Sequence, residues 1–303
     1  MKIKKLGAID IGSNGVRLLI SNVLESENKT PIFKKSSLVR VPIRLGADVF
    51  LDGQISEENA NRLSDSMQAF DLLMKVNKVE KYMACATSAM REASNGHEIT
   101  EKIFKKTGVK IRIIDGSEEA KIIASTDIHS LIEKQGKSYL YIDVGGGSTE
   151  FTVFVDGKII NSRSFPIGTV RLLDGMVSSK MWKEAEDWIK ENTKNISSIE
   201  AIGSGGNINK IFKDSEKKEG KPLSYKYLKD HSKYLSSFTY EERIRILGFN
   251  PDRADVILYA LQVYINAMKW GQAKIIHVPR IGLADGIIKT IYYNDLSKKI
   301  KHK

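Results

Sequence analysis

Three stretches of this sequence place glycines and hydroxyls, two of them with acids, where a phosphate and a cation could be handled together. The clearest is YIDVGGGSTEF. Asp143 closes an apolar run, Gly145, Gly146 and Gly147 follow, and Ser148, Thr149 and Glu150 lead into alternating apolar residues. AIDIGSNGVRLL near the N-terminus has nearly the same shape, with Asp10, Gly12, Ser13, Asn14, Gly15 and Arg17. Glycines let backbone N–H groups converge without Cβ atoms in the way, and such a concavity takes phosphate oxygens. Ser13 and Ser148 can add hydroxyl donors. A carboxylate beside such a nest repels an anion unless a cation lies between them. Mg2+ suits that place, since it binds one or two carboxylates together with water and phosphate oxygens. Asp10, Asp143 and Glu150 are therefore the expected metal-handling acids. One glycine turn alone reads more simply as a bulge. Two in matching places favour the ligand.

The third stretch is IGSGGN, with Gly203, Gly205 and Gly206 between a strand and a helix. Amides at a helix N-terminus attract anions. Hydrolysis of a phosphoanhydride further needs an oriented water and neutralised phosphate charge. A carboxylate near that water can act as base. Glu118 and Glu119, in IIDGSEEAKII, are the candidate pair. Acids in a first helical turn also simply suit the helix dipole, and it is their place between the two halves of the chain that singles them out. Arg17 and Arg91 are candidate phosphate clamps; surface or ion-pair roles remain the alternative.

Several other chemistries lack their residues. There is no GxxxxGK before a Ser or Thr, no GxGxxG, no HExxH and no GxSxG. The five histidines show no metal-ligand spacing. Cys85 is the single cysteine, which excludes an intrachain disulfide and a cysteine-built zinc site. Lys plus Arg is 48 against 37 Asp plus Glu, a formal charge of +11. That excess suits a polyanionic partner without choosing one. The basic start runs straight into an apolar strand, unlike a signal peptide, and no apolar stretch is long enough to span a bilayer. The expectation is a cytoplasmic protein with no membrane partner and no specific nucleic-acid partner.

The elements that must hold these residues alternate strand and helix, which argues an α/β fold. Each half opens strand–turn–strand, adds a third strand, and continues into helices and further strands. A shift of 133 residues takes Asp10 onto Asp143, Gly12 onto Gly145, Gly15 onto Ser148 and Arg17 onto Glu150. The pattern is that of two copies of one domain facing each other across a cleft. The expected domains are 1–124 and 125–303, with the last helix packing back on the first. A long helix is expected over 116–134, another within NPDRADVILYALQVYINAMKW, a charged loop over 213–221, and a mobile basic fringe in the tail LSKKIKHK. The apolar helix ending in AMKW suits the core first and a homodimer surface second.

In order along the chain, AIDIGSNGVRLLI, ATSAMREASNG, IIDGSEEAKII, YIDVGGGSTEF, FPIGTVRL, IGSGGN and GLADGII resemble the exopolyphosphatase / guanosine pentaphosphate phosphohydrolase family, which belongs to the acetate and sugar kinase, actin and chaperone ATPase superfamily. The resemblance implies two duplicated actin-like (ribonuclease H-like) α/β domains with an interdomain cleft. It implies release of terminal phosphate from inorganic polyphosphate, or of the 5′-terminal phosphate from guanosine pentaphosphate, with a divalent cation such as Mg2+. A small-molecule kinase of the same superfamily is the more remote alternative. By motif, Glu119 matches the catalytic base, and Asp143 and Glu150 the acids that handle metal and water. Gly145, Gly146, Gly147 and Ser148 match the phosphate loop. Asp10, Ser13, Asn14 and Arg17 match the first phosphate-facing turn, Arg91 the arginine of its own stretch, and Gly203, Gly205 and Gly206 the third turn. The chain departs from the pattern at Asp115 (commonly Ser), Gly15 (often Ser or Thr), Asn207 (usually Thr) and Ala284 (often basic). Longer members carry a C-terminal helical extension, and strong processivity on long polymers is not expected here.

Overall fold

The computed structural model describes residues 1–27, 29–124, 126 and 136–301. The chain divides into two compact units, Met1–Thr126 with Gly282–Lys303, and Asp127–Ile281.

Among the described residues, the first unit holds β1 (Lys2–Ile11), β2 (Val16–Glu25), β3 (Ile32–Val41), β4 (Lys81–Ala86) and β5 (Ile111–Ile113). They form one five-stranded sheet in the order β3-β2-β1-β4-β5. The first three pair antiparallel, whereas β4 runs parallel to both β1 and β5. The centre of β1 is buried on both faces, as a strand covered on each side must be. Helix Glu57–Val76 starts where the Ser56 hydroxyl accepts the Asn59 N–H, and it turns Leu63, Met67, Phe70 and Met74 inward at helical spacing. The closing helix, Leu283–Lys301, belongs to this unit. A Cβ on Gly286 would come 2.2 Å from the Ile122 carbonyl oxygen, so only glycine allows that approach.

The second unit repeats the plan with β6 (Ser138–Val144), β7 (Thr149–Val155), β8 (Lys158–Phe165), β9 (Ile199–Ser204), β10 (Leu223–Ser224) and β11 (Ile275–His277). Their order is β10-β11-β9-β6-β7-β8. Reading from β8, it is the order of the first sheet with β10 added, antiparallel, at the far edge. The registers coincide as well. Asp10 lies opposite Arg17 and Ile11 opposite Val16, while Asp143 lies opposite Glu150 and Val144 opposite Thr149. The duplicated α/β fold expected from the residues and from the resemblance is thus present strand for strand.

The duplication runs further than the sequence comparison reached. Pro42-Ile43 and Pro166-Ile167 both follow the third strand, and both isoleucines are fully buried. Each leads into a short helix, Leu45–Asp52 or Thr169–Leu173, whose first turn caps the hairpin turn. Gly46 N–H donates to the Ser13 carbonyl, and Val170 N–H to the Gly146 carbonyl.

Several elements differ from expectation. The helix expected to follow Asn250 breaks into Pro251–Ala254 and Ile257–Trp270. Helix Tyr240–Arg245, outside the expected elements, forms on a Thr239/Glu242 capping box whose residues the sequence carries. The tail expected as a fringe continues the closing helix to Lys301. The helix expected over 116–134 is seen as Gly116–Ala124, and positions 125 and 127–134 lie outside the described residues.

Candidate active site

The second unit assembles its motif around the β6–β7 hairpin. Asp143 and Glu150 face each other in register, and Asp143 is in register with Ser204 on the other side. Glu150 is only 5% exposed. Its Oε1 accepts from the Ser148 hydroxyl and from the Ser164 hydroxyl, each at 2.7 Å. Burial of a carboxylate is costly unless donors compensate it, and these two hydroxyls hold Glu150 in place. The Ser148 hydroxyl, expected to reach a phosphate, is directed at Glu150. The backbone of the same turn remains for an anion.

That turn is closed by Gly145 N–H donating to the Ser148 carbonyl at 2.9 Å. Gly145, Gly146 and Gly147 are absent from the residues with positive φ. Their backbone is therefore not left-handed, and the glycine that the close approach requires is Gly168. A Cβ on Gly168 would lie 2.2 Å from the Gly146 oxygen and 2.4 Å from the carbonyl carbons of Gly146 and Gly147. Among the described residues, the N–H groups of Gly146 and Gly147 take no backbone acceptor.

The third turn runs beside Asp143. Gly205 has φ +117°, a conformation that excludes ordinary side chains. A Cβ there would meet the Val144 oxygen at 2.9 Å and would lie 3.6 Å from Asp143 Oδ1. Helix Gly206–Asp214 starts at the next residue. Gly203 does something different: its bare Cα lets Ile276 and Ile208 close over the sheet, where a Cβ would come within 2.8 Å and 3.1 Å. Gly203 thus belongs to core packing, and Gly205 and Gly206 to the turn beside the acid. Two buried phenols complete the surroundings. Tyr264 donates to the Ser204 carbonyl. Both Tyr264 and Tyr141 are held far above the ordinary phenol pKa, first by burial and then by the charge of Asp143.

The first unit uses the corresponding turn otherwise. Asp10 is 6% exposed and pairs with Arg17 at 3.2 Å. Burial still raises its pKa, against the pull of Arg17 and Arg40. Ser13 and Ser88 share a buried hydroxyl–hydroxyl bond of 2.8 Å. Asn14 is half-buried at the tip of the turn. Arg91 donates to the Ile114 carbonyl at 2.7 Å, tying helix Ser88–Glu92 to the segment before the acid pair. Asp115 caps that next helix, its Oδ1 accepting the Glu118 N–H at 2.8 Å. Asp and Ser are both good caps, so this departure from the family pattern keeps its structural job. Glu118 is ion-paired to Arg112. Glu119 follows it, half-buried. The thiol of Cys85 is pushed up to about 12, chiefly by burial; Arg112 opposes this, and the nearby acids Asp10, Glu118 and Glu119 add to it.

Among the described residues, no three His, Cys, Asp or Glu side chains converge as a metal cluster. The in-register pair Asp143 and Glu150 does fit Mg2+, which takes few protein carboxylates and completes its shell with water and phosphate oxygens. Asp10, held by Arg17, fits that role less well.

A model of the Ppx/GppA phosphatase family matches residues 28–294. The chain belongs to the Ppx/GppA phosphatase family. Membership places it among phosphoanhydride hydrolases. A Fusobacterium nucleatum protein named bifunctional 3-dehydroquinate synthase/phosphatase is 32% identical over 83% of this chain, and the match spans 41% of that longer protein. Exopolyphosphatase 1 of Mycobacterium leprae is 23% identical over 94% of this chain and 88% of its own length. An exopolyphosphatase structure from Cytophaga hutchinsonii superposes with a TM-score of 0.82 at 24% identity, covering 96% of this chain and 98% of that one. At that identity the likeness speaks for the Ppx/GppA fold.

Sequence reading missed three side chains of the second-unit site. Arg171 donates Nε–H to the Gly147 carbonyl at 2.8 Å, Ser164 supports Glu150, and Tyr264 reaches the third turn. Arg171 lies inside the quoted FPIGTVRL stretch and Ser164 at the residue before it. Tyr264 sits in an apolar helical run, where nothing marks it.

Proposed function

We propose that this protein is an exopolyphosphatase that hydrolyses the terminal phosphoanhydride of inorganic polyphosphate and releases orthophosphate. The observation that carries this reading is the pair of in-register carboxylates, Asp143 and Glu150, beside a glycine turn whose carbonyls are bound away on one side. Names of relatives that include exopolyphosphatase support it.

In this reading the N–H groups of Gly146, Gly147 and Ser148 hold the terminal phosphate, with the Gly205–Gly206 helix start adding partial positive charge. Asp143 and Glu150 would hold a divalent cation such as Mg2+, which would neutralise phosphate charge when bound. Glu119 takes a proton from the attacking water as its oxygen bonds to phosphorus. The bridging P–O bond breaks, and the shortened polyphosphate leaves with that electron pair. Glu119 is preferred over Glu118 because it is the second Glu of the acid pair, the position that matches the family's catalytic base. The formal charge of +11 suits the remainder of the polyanion.

The test is orthophosphate release, with Mg2+, from long polyphosphate, inorganic triphosphate and guanosine pentaphosphate side by side. Release from the inorganic substrates is expected. Faster release from guanosine pentaphosphate would move the assignment to that substrate. ATP-dependent labelling of an acceptor without phosphate release would replace hydrolysis by kinase chemistry. Glu119→Ala should stay folded and lose at least about a hundredfold in kcat; near-normal turnover would remove Glu119 from the role of base.

A further inference from the structure

Three consecutive carbonyls of the glycine turn are taken by one short segment. Thr169 N–H donates to Gly145 O at 3.0 Å and Val170 N–H to Gly146 O at 2.8 Å. Arg171 Nε–H donates to Gly147 O at 2.8 Å. A trans peptide is planar, with its C=O and N–H pointing opposite ways. Each of these bonds therefore aims the next N–H, those of Gly146, Gly147 and Ser148, to the far side of the turn. Two of the three anchors are backbone groups and do not depend on side-chain identity. The third depends wholly on Arg171.

The other copy of the fold shows what the turn looks like without it. Counting from Pro42 and Pro166, Gly46 matches Val170 and Ala47 matches Arg171. Gly46 N–H caps Ser13 O as Val170 N–H caps Gly146 O, but Ala47 has no side chain to reach the next carbonyl. The Ser148 hydroxyl is already directed at Glu150, so the Ser148 backbone N–H is what that residue has for an anion.

We propose that Arg171 is a positioning residue for phosphate: its guanidinium fixes the Gly147–Ser148 peptide so that the Ser148 N–H faces the bound anion. The assignment deepens the exopolyphosphatase reading and rests on it. A charged donor to a peptide carbonyl is a stronger tether than a neutral one. Its loss lets the peptide plane rotate and weakens the nest.

The experiment is calorimetric titration of the full chain with inorganic triphosphate and Mg2+, for the wild type, Arg171→Ala and Arg171→Lys. Thermal unfolding and NMR exchange of the Ser148 amide are read in parallel. Arg171→Ala, which reproduces Ala47, should weaken triphosphate binding about tenfold and speed Ser148 exchange while the protein stays folded. Added methylguanidinium should restore part of the affinity, which no general loss of packing would permit. Arg171→Lys should fall between the two. Folded Arg171→Ala that binds within about twofold of wild type overturns the assignment, as does weakened binding with unchanged Ser148 exchange and no rescue. If Arg171→Ala does not fold, Arg171→Lys decides by the same titration and the same exchange. A wild type that binds no triphosphate overturns the exopolyphosphatase reading and this assignment together.

Discussion

Gly168→Ala is the most direct challenge to the turn. The added Cβ would lie 2.2 Å from the Gly146 oxygen and 2.4 Å from the Gly147 carbonyl carbon. Non-bonded heavy atoms settle near 3.5 Å, so about 1 Å of separation has to be found. The atoms in the way are backbone, so no side-chain rotation can supply it. The turn must shift, or the helix start at Thr169–Leu173 must lift and strain the bonds to Gly145 and Gly146. Misplacement of a binding group by about 1 Å costs on the order of a hundredfold in rate, or about 2.7 kcal/mol in the barrier. Overpacking adds about 1–3 kcal/mol of destabilisation. The assay is Mg2+-dependent phosphate release from inorganic triphosphate, with circular dichroism to establish folding. A folded Gly168→Ala protein whose kcat/KM stays within about threefold of wild type would refute the claim that this contact sets the turn's geometry.

Other side chains give equally direct outcomes. Ser164→Ala removes one of the hydroxyls on Glu150 Oε1, and the Mg2+ concentration for half-maximal activity should rise about tenfold with little change at saturation; an unchanged Mg2+ profile would separate Glu150 from the cation. Cys85 is fully buried and its thiol is pushed up to about 12, so a disulfide reagent at pH 8 should label native protein only as fast as it unfolds, and rapid native labelling would contradict that environment. His231 lies under Tyr227 with Asp214 and Lys210 nearby, and burial lowers its pKa below 6.5, Asp214 pulling it up and Lys210 down. Its neutral form therefore favours the fold: the stabilisation is present above the unfolded value and is lost as pH falls through the folded one. Thermal midpoints should drop between pH 7 and pH 5.5 more steeply in wild type than in His231→Gln; equal slopes would assign the pH sensitivity elsewhere.

The hairpin acids were legible because a glycine break in a strand, flanked by acids and repeated at a fixed shift, has few structural explanations. Asp143 opposite Glu150 and Asp10 opposite Arg17 appear at the register that shift implies. The role of each glycine was not legible. Gly168, Gly203 and Gly205 look alike in the sequence, yet one lets its own segment approach the glycine turn, one lets isoleucines close over the sheet, and one takes a positive φ beside an acid. Periodicity also failed where short helices begin, as at Leu45–Asp52, because a few residues carry too little pattern to separate helix from loop.

From the order of residues alone came the α/β class, the duplication and the family, since these reside in local pattern and in motifs of fixed spacing. Only the folded chain decided which atoms serve them. The Ser148 hydroxyl turned to Glu150, Glu118 paired with Arg112, and Arg171 took the last carbonyl of the turn. A hydrogen bond is chosen by distance and direction between groups far apart in sequence, and neither quantity exists until the strands and helices have packed.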